Sequence, residues 1–456
     1  MADTESLLAQ SDRGPEPAPS SSPPQADEAN RLGPPDSSQF KVHGVIWTVI
    51  FAASVAVVFL AAIINLFGGS VCHRNQILNI CDVPFSAVVA LVLCAYASAL
   101  FGFVWIAMMS RPQFSPNIIG FSTAVNILLW SGIGLISSAH GIWYSAIIAV
   151  FCCTAAGALY LSMRHRLDFT SVLLEISFGC QRSNLLIRTV FIAQSALILY
   201  SVIWLVAISS SSSLVFILLM FINQIWAANV TISVIYVMSG SVLSSWYFTP
   251  QSSFELSADA AQIFKTRFGS ICFGSLAIAI AQTLRILAQG SVQTGAPGSC
   301  LAACIFGILE YSSNFVTRFA FSYVAVWGVD FCSAVEKTST LLRTRAVDVF
   351  VNYNFTYVVV WASASIGGLF GVVIGSIFYF LIGGHSYIAM VVTLSYSIGF
   401  AMMFLAVTMV ESIVDSLMVV WAEVPDALSA NHHSEYQRLV TSIRQIRPFI
   451  APDSNI

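Results

Sequence analysis

Of 456 residues, 57% are hydrophobic and 9% are charged, where soluble domains carry about a quarter charged residues. That balance excludes a soluble globular protein and predicts an integral membrane one. The formal net charge of -3 gives no electrostatic reason for a nucleic-acid partner. The ten cysteines, most in apolar runs (Cys94, Cys152, Cys153, Cys272), read as packing residues, with no CxxC pair or Cys/His cluster at metal spacing.

Residues 1–42 include GPEPAPSSSPPQADEANRLGPPDSS, which holds too little apolar surface to fold and predicts a disordered cytoplasmic tail. It lacks the basic start and apolar core of a signal peptide. DTESLL, from Asp3 to Leu8, has the form of an acidic dileucine sorting signal, with plain tail as the alternative reading.

From Val45 onward, apolar runs alternate with short polar breaks. Spans are predicted at 45–67, 86–109, 118–137, 142–163, 189–209, 214–237, 270–290, 300–322, 356–381 and 387–410, each near the ~20 residues a membrane crossing needs. The fold class expected is an all-α integral membrane protein with ten transmembrane helices and both termini cytoplasmic. Basic residues support that count: with a cytoplasmic N-terminus, the inner segments collect Arg111, Arg164, Arg166, Arg182, Arg188, Lys265, Arg267, Lys337, Arg343 and Arg345, while Arg74 stands in an outer loop. The transmembrane domain covers 43–423, and 424–456 forms a cytoplasmic C-terminal tail.

The outer loop from Gly68 to Phe85 holds Cys72 and Cys81, on the side where an oxidising compartment permits a disulfide; a bridge and two free thiols both remain open. The connectors Arg164 to Arg188 and Val329 to Phe355 mix apolar and charged residues at helical spacing, as amphipathic helices on the inner leaflet or struts packed beneath the bundle would. No phosphate-binding loop, HExxH or nucleophile turn is present, so no enzyme activity, cofactor or metal is expected.

Three stretches, YVMSGSVLSSWYF (Tyr236 to Phe248), RFGSICFGSLAIAIAQTLR (Arg267 to Arg285) and FAFSYVAVWGVDFCSA (Phe319 to Ala334), resemble the choline transporter-like family, solute carrier family 44, including its fungal and plant pH-sensitive-protein-like members. The resemblance is carried by Gly240, Trp246, Tyr247, Phe248, the run from Phe268 to Ser275, Gly328, Phe331 and Cys332, and by VESIVDSL, where Glu411 and Asp415 fall on acidic positions of the family pattern. Thr317-Arg318-Phe319-Ala320-Phe321 keeps the arginine and alanine of the family's asparagine-arginine-asparagine-alanine-tyrosine run and departs at its polar neighbours. The resemblance implies a ten-helix carrier of choline, in some members ethanolamine, at the plasma membrane, with an endosomal or vacuolar membrane as the alternative suggested by the dileucine pattern.

Choline's quaternary ammonium has no N–H, so a site must offer aromatic faces and negative charge. On the sixth predicted span, Asn223, Gln224, Trp226 and Asn229 form a polar cluster that lipid would penalise, and Trp226 is the leading cage candidate. On the eighth, Glu310, Asn314 and Arg318 recur every four residues and line one helical face that must point into the bundle, with Tyr311 and Phe315 as a second aromatic wall. Glu310 is expected to balance the substrate's charge or exchange a proton, or else to pair internally with Arg318 or Arg285. Glu411 and Asp415, one turn apart at the predicted cytoplasmic end of the tenth span, repel unless paired, and connector residues Lys337 or Arg343 are the expected partners in an inner gate or a static network. Membrane lipids and a small organic cation are the expected partners. GSICFGS reads as a close-packing surface, and Gly240 and Gly328 as hinges or breaks at span ends.

Overall fold

The computed structural model describes residues 43–67, 85–109, 184–209, 213–248, 259–293, 299–383 and 387–446, with scattered positions between 124 and 177. Ten helices are labelled here: α1 (His43–Phe67), α2 (Phe85–Met109), α3 (Asn184–Ile208), α4 (Leu214–Phe248), α5 (Asp259–Gln293), α6 (Ser299–Trp327), α7 (Phe331–Leu381), α8 (Ile388–Glu423), α9 (Pro425–Asn431) and α10 (His433–Ile446). No strand occurs among the described residues. Seven of these helices are long and apolar enough to cross a membrane, and an eighth span arises if the bent pair Cys304–Trp327 and Phe331–Leu341 is taken as one. Apart from those scattered positions, the predicted spans 118–137 and 142–163 lie outside the described residues, as does the Cys72/Cys81 loop.

Helix ends differ from expectation in four helices, one of them α5, which begins at Asp259 where the span was expected from 270. α4 runs to Phe248 and α8 to Glu423, well past the predicted ends at 237 and 410. α7 fuses the predicted connector and ninth span into one helix of 51 residues, about 76 Å at 1.5 Å per residue, so it outreaches a ~30 Å hydrocarbon core. Phe331 to Ile366 contains no Gly or Pro that would interrupt it.

Between α6 and α7 the chain turns by 113°. Gly328 takes φ 66° there, a left-handed conformation glycine adopts without Cβ cost, and its N–H closes on the Val324 carbonyl at 3.1 Å. Asp330 then caps α7, accepting from the Ser333 N–H at 3.2 Å and from its hydroxyl at 2.7 Å. Gly240 is different: it lies within continuous α4, where a Cβ would come 2.6 Å from Ser416 Oγ and 2.7 Å from the Ala325 methyl. It is a point of close approach, not a break.

Small residues set the helix contacts, as expected where lipid supplies no hydrophobic drive between helices. At the α7/α8 interface a Cβ on Gly371 would lie 2.4 Å from the Ser395 carbonyl and 2.9 Å from the Gly399 Cα. The GSICFGS run packs α5 tightly too: a Cβ on Gly274 would meet the Phe331 ring at 2.5 Å, and Ser275 donates to Ser233 of α4 at 2.9 Å. α1 crosses its neighbours obliquely. Its His43 end touches α5, with Trp47 and Phe273 ring centroids 4.8 Å apart, while at its other end Asn65 donates to the Val206 and Ala207 carbonyls of α3 at 3.1 and 2.9 Å.

Candidate functional site

Polar side chains on α4 divide between two neighbours. Toward α3, the Tyr200 hydroxyl donates to Asn223 Oδ1, and Gln224 Nε2 donates to Ser201 Oγ at 2.8 Å. Gln224 Oε1 is buried with no hydrogen-bond partner among the described residues. Toward α5, Trp226 Nε1 donates to the Cys272 carbonyl at 3.1 Å, and Asn229 Nδ2 donates to Gln282 Oε1 at 2.8 Å and to the Ile225 carbonyl at 2.9 Å. Trp226 is 5% exposed and meets the Phe51 ring edge-on, centroids 5.0 Å apart. Phe315 belongs to the same apolar cluster. In this conformation Trp226 Nε1 and Asn229 Nδ2 both donate within the protein.

Along α6, Glu310 pairs with Arg285 of α5, Oε2 to Nε 2.8 Å, at contact distance but off the hydrogen-bond direction. Arg285 keeps 41% of its side chain exposed. Asn314 follows on the same face, half-buried; the Tyr311 side chain lies outside the described residues. One turn further on, the Arg318 guanidinium bonds Glu411 Oε1 of α8.

That bond opens onto a deeper cluster. Arg318 and Ser322 are one turn apart on α6, Glu411 and Asp415 one turn apart on α8, and Tyr236 of α4 fills the gap. The Tyr236 hydroxyl donates to Asp415 Oδ2 at 2.6 Å and lies 3.4 Å from Ser322 Oγ. Ser412 donates to the Tyr236 carbonyl. Glu411 is 2% exposed and Asp415 3%. Because α8 continues about 18 Å past Glu411 at helical rise, the carboxylates sit inside the bundle and their partner is Arg318, where the connector's Lys337 was expected. Lys337 is exposed, and the side chain of Arg343 is outside the described residues. Arg318 thus bonds Glu411, while Asp415, one turn along α8, takes its bond from the Tyr236 hydroxyl. Sequence reasoning missed Tyr236 and Ser322. The available signal was the matched one-turn spacing of Arg318/Ser322 and Glu411/Asp415.

Toward the ends of α4, α6 and α8 the polar contacts become caps. Arg267 Nη1 donates to Ser241 Oγ at 2.7 Å and to the Ala325 carbonyl, placing positive charge on the last turn of α6 where helix carbonyls lack partners. The last-turn carbonyls of α4 are met from the α9/α10 junction: Asn431 Nδ2 donates to the Tyr247 carbonyl at 3.2 Å, and His432 Nε2 lies 2.8 Å from the Trp246 carbonyl. The His432 ring stacks on Trp246 at 4.0 Å. Tyr247 returns a bond to the Val424 carbonyl at 2.9 Å.

Long apolar helices, glycine-mediated crossings and a buried Arg318/Glu411 ion pair between two of the helices mark a multi-pass α-helical membrane protein. The family model described as plasma-membrane choline transporter matches residues 147–426, well over half of the chain. The chain belongs to this choline transporter family. Among curated relatives it is 26% identical over 244 residues to Protein PNS1 of Gibberella zeae, covering 49% of this chain and 45% of that one. It is 24% identical over 288 residues to a CTL-like protein of Dictyostelium discoideum, covering 59% and 51%, and 25% identical over 357 residues to Protein PNS1 of Debaryomyces hansenii, covering 68% and 69%. The matched part is thus about half the length of the first two relatives.

Proposed function

We propose that this protein is a secondary carrier of a small organic cation, choline first and ethanolamine as the alternative, working by alternating access. In this reading the eight described spans and the two predicted at 118–137 and 142–163 make ten, with both termini cytoplasmic, in the plasma membrane unless the dileucine pattern diverts it to an endosomal or vacuolar one. The chain catalyses no chemistry.

The observation that carries the proposal is the charge balance at Arg318, Glu411 and Asp415. Two buried carboxylates against one guanidinium leave one negative charge uncompensated, and an uncompensated charge in a low-dielectric interior is costly. A proton on the pair removes the cost, and so does a bound organic cation. The two then alternate at one place, which supports proton-coupled transport. Tyr236 reaches Asp415 through its hydroxyl, which ties an aromatic side chain to the carboxylate that a cation would meet. The α6 face from Glu310 through Asn314 to Arg318 lines the route, with the Glu310/Arg285 pair toward its Ser299 end. Tyr311, Phe315 and Trp226 are assigned to its aromatic wall, and Asn223, Gln224 and Asn229 to its polar lining, where the open Gln224 Oε1 suits a substrate hydroxyl.

A second reading, a non-transporting membrane scaffold, is favoured by one finding: Trp226 and Asn229 are bonded within the protein. Labelled choline uptake into proteoliposomes separates the two. The unmutated protein should concentrate choline under a pH gradient, Asp415→Asn should abolish uptake while preserving the fold, and Glu310→Gln and Trp226→Ala should weaken it. Uptake by the unmutated protein no higher than empty liposomes removes the choline claim.

A further inference from the structure

A groove of about 760 Å³ runs along the bundle where α1 crosses its neighbours. Because the His43 end of α1 rests on α5 and its Phe67 end on α3, α1 and α3 diverge toward the His43 end and leave a wedge over α4. Phe51 and Val55 of α1, Thr189 and Ala196 of α3, Val234 of α4 and Phe268 of α5 line it. All four helices are spanning helices, and among the described residues no other helix lines the wedge, so it lies at hydrocarbon depth. Its polar wall atoms are already used: Thr231 Oγ1 donates to the Ala227 carbonyl at 2.9 Å, and the Tyr200 hydroxyl to Asn223. What remains is aliphatic and aromatic surface, from Thr189 to Ile203 along α3, about 21 Å at helical rise, which exceeds the ~15 Å depth of one leaflet.

The wide end of this wedge carries charge. Arg188 precedes Thr189 on α3, and Lys265 lies one turn before Phe268 on α5; both are exposed, and neither pairs with a carboxylate among the described residues. Apolar walls along one leaflet, with a cation on either side of the mouth, complement an acyl chain joined to a phosphate. We propose that the groove binds one anionic phospholipid of the leaflet next to Arg188 and Lys265, its chain between α1 and α3 and its headgroup on the two basic residues. That this leaflet is the cytoplasmic one rests on the topology proposed above; the site itself does not.

The test reconstitutes the full chain in phosphatidylcholine liposomes with a phosphatidylserine probe carrying a diazirine in its acyl chain. Photolabel should concentrate on α3 and α4 peptides within 189–203 and 227–238 and be competed by unlabelled phosphatidylserine, not by phosphatidylcholine or free fatty acid. Ala196→Trp, which fills the groove from its exposed wall, should abolish that label while leaving label on the exposed α6 face of Ile305 and Ile308. Arg188→Gln and Lys265→Gln should each lower the preference for phosphatidylserine about fivefold without altering elution as a folded protein. Label spread evenly over groove and α6 face, label untouched by Ala196→Trp, or no label in the groove because another part of the chain fills it, would each overturn the proposal. Labelling is read without any transport step, so a failure of the carrier reading leaves this result standing.

Discussion

Arg318→Gln and Asp415→Asn change the same buried cluster by one charge each, and the structure demands opposite results. Arg318 is 18% exposed and Glu411 2%, so removing the guanidinium strands two carboxylates in the bundle. Breaking such a pair by deleting one partner costs about 3–5 kcal/mol. At the ~2–4 °C per kcal/mol of mid-sized domains, less for a longer chain, the thermal midpoint in nanodiscs should fall by on the order of 5–10 °C. Glu411→Gln added to Arg318→Gln should restore most of the loss, because a neutral pair has no desolvation penalty to offset. Asp415→Asn removes the second carboxylate charge beside Arg318, while the amide oxygen still accepts from Tyr236, so stability should hold or rise. Midpoints of the four proteins, measured by fluorescence-detected size exclusion after heating, decide the matter. If Asp415→Asn falls as far as Arg318→Gln, Asp415 is a structural member of the network and the charge argument for a cation site fails.

Other perturbations probe the surrounding framework. Gly371→Val places atoms against the Ser395 carbonyl at 2.4 Å, where backbone cannot yield, and should cost about 1–3 kcal/mol or more, visible as a lower thermal midpoint and yield. Glu310→Gln, opposite an arginine 41% exposed, should change stability by under about 1 kcal/mol if that exposed part meets water, which screens the pair; a larger drop in the same heating assay would place Arg285 against lipid or protein instead. Asn431→Ala should cost about 0.5–1.5 kcal/mol through the lost bond to the Tyr247 carbonyl, and cleavage of the C-terminal segment by a protease in the same nanodiscs should quicken accordingly.

Much of the bundle was legible because hydropathy and the positive-inside rule act on whole segments, so α1, α2 and α3 begin and end within a few residues of expectation. Gly328 announced the α6/α7 turn in the same way, by a residue type whose backbone freedom the turn uses. Charge within apolar sequence was harder to place. VESIVDSL reads as the end of a span because two acids in lipid are prohibitive, yet α8 carries them inside to Glu423, because Arg318 and Tyr236 arrive from helices 93 and 179 residues away in the chain. Local spacing cannot supply that information; it depends on which helices cross and at what depth. Trp226 shows the same limit from the other side. Its burial was foreseeable from a polar cluster in mid-span, but whether its N–H faces a ligand or the Cys272 carbonyl depends on how α4 meets α5, set by small residues such as Ser233 and Ser275 that leave little trace in hydropathy. With the Trp226 N–H held by the Cys272 carbonyl, the buried Glu411 and Asp415 carboxylates are better suited to a cation than the aromatic residue.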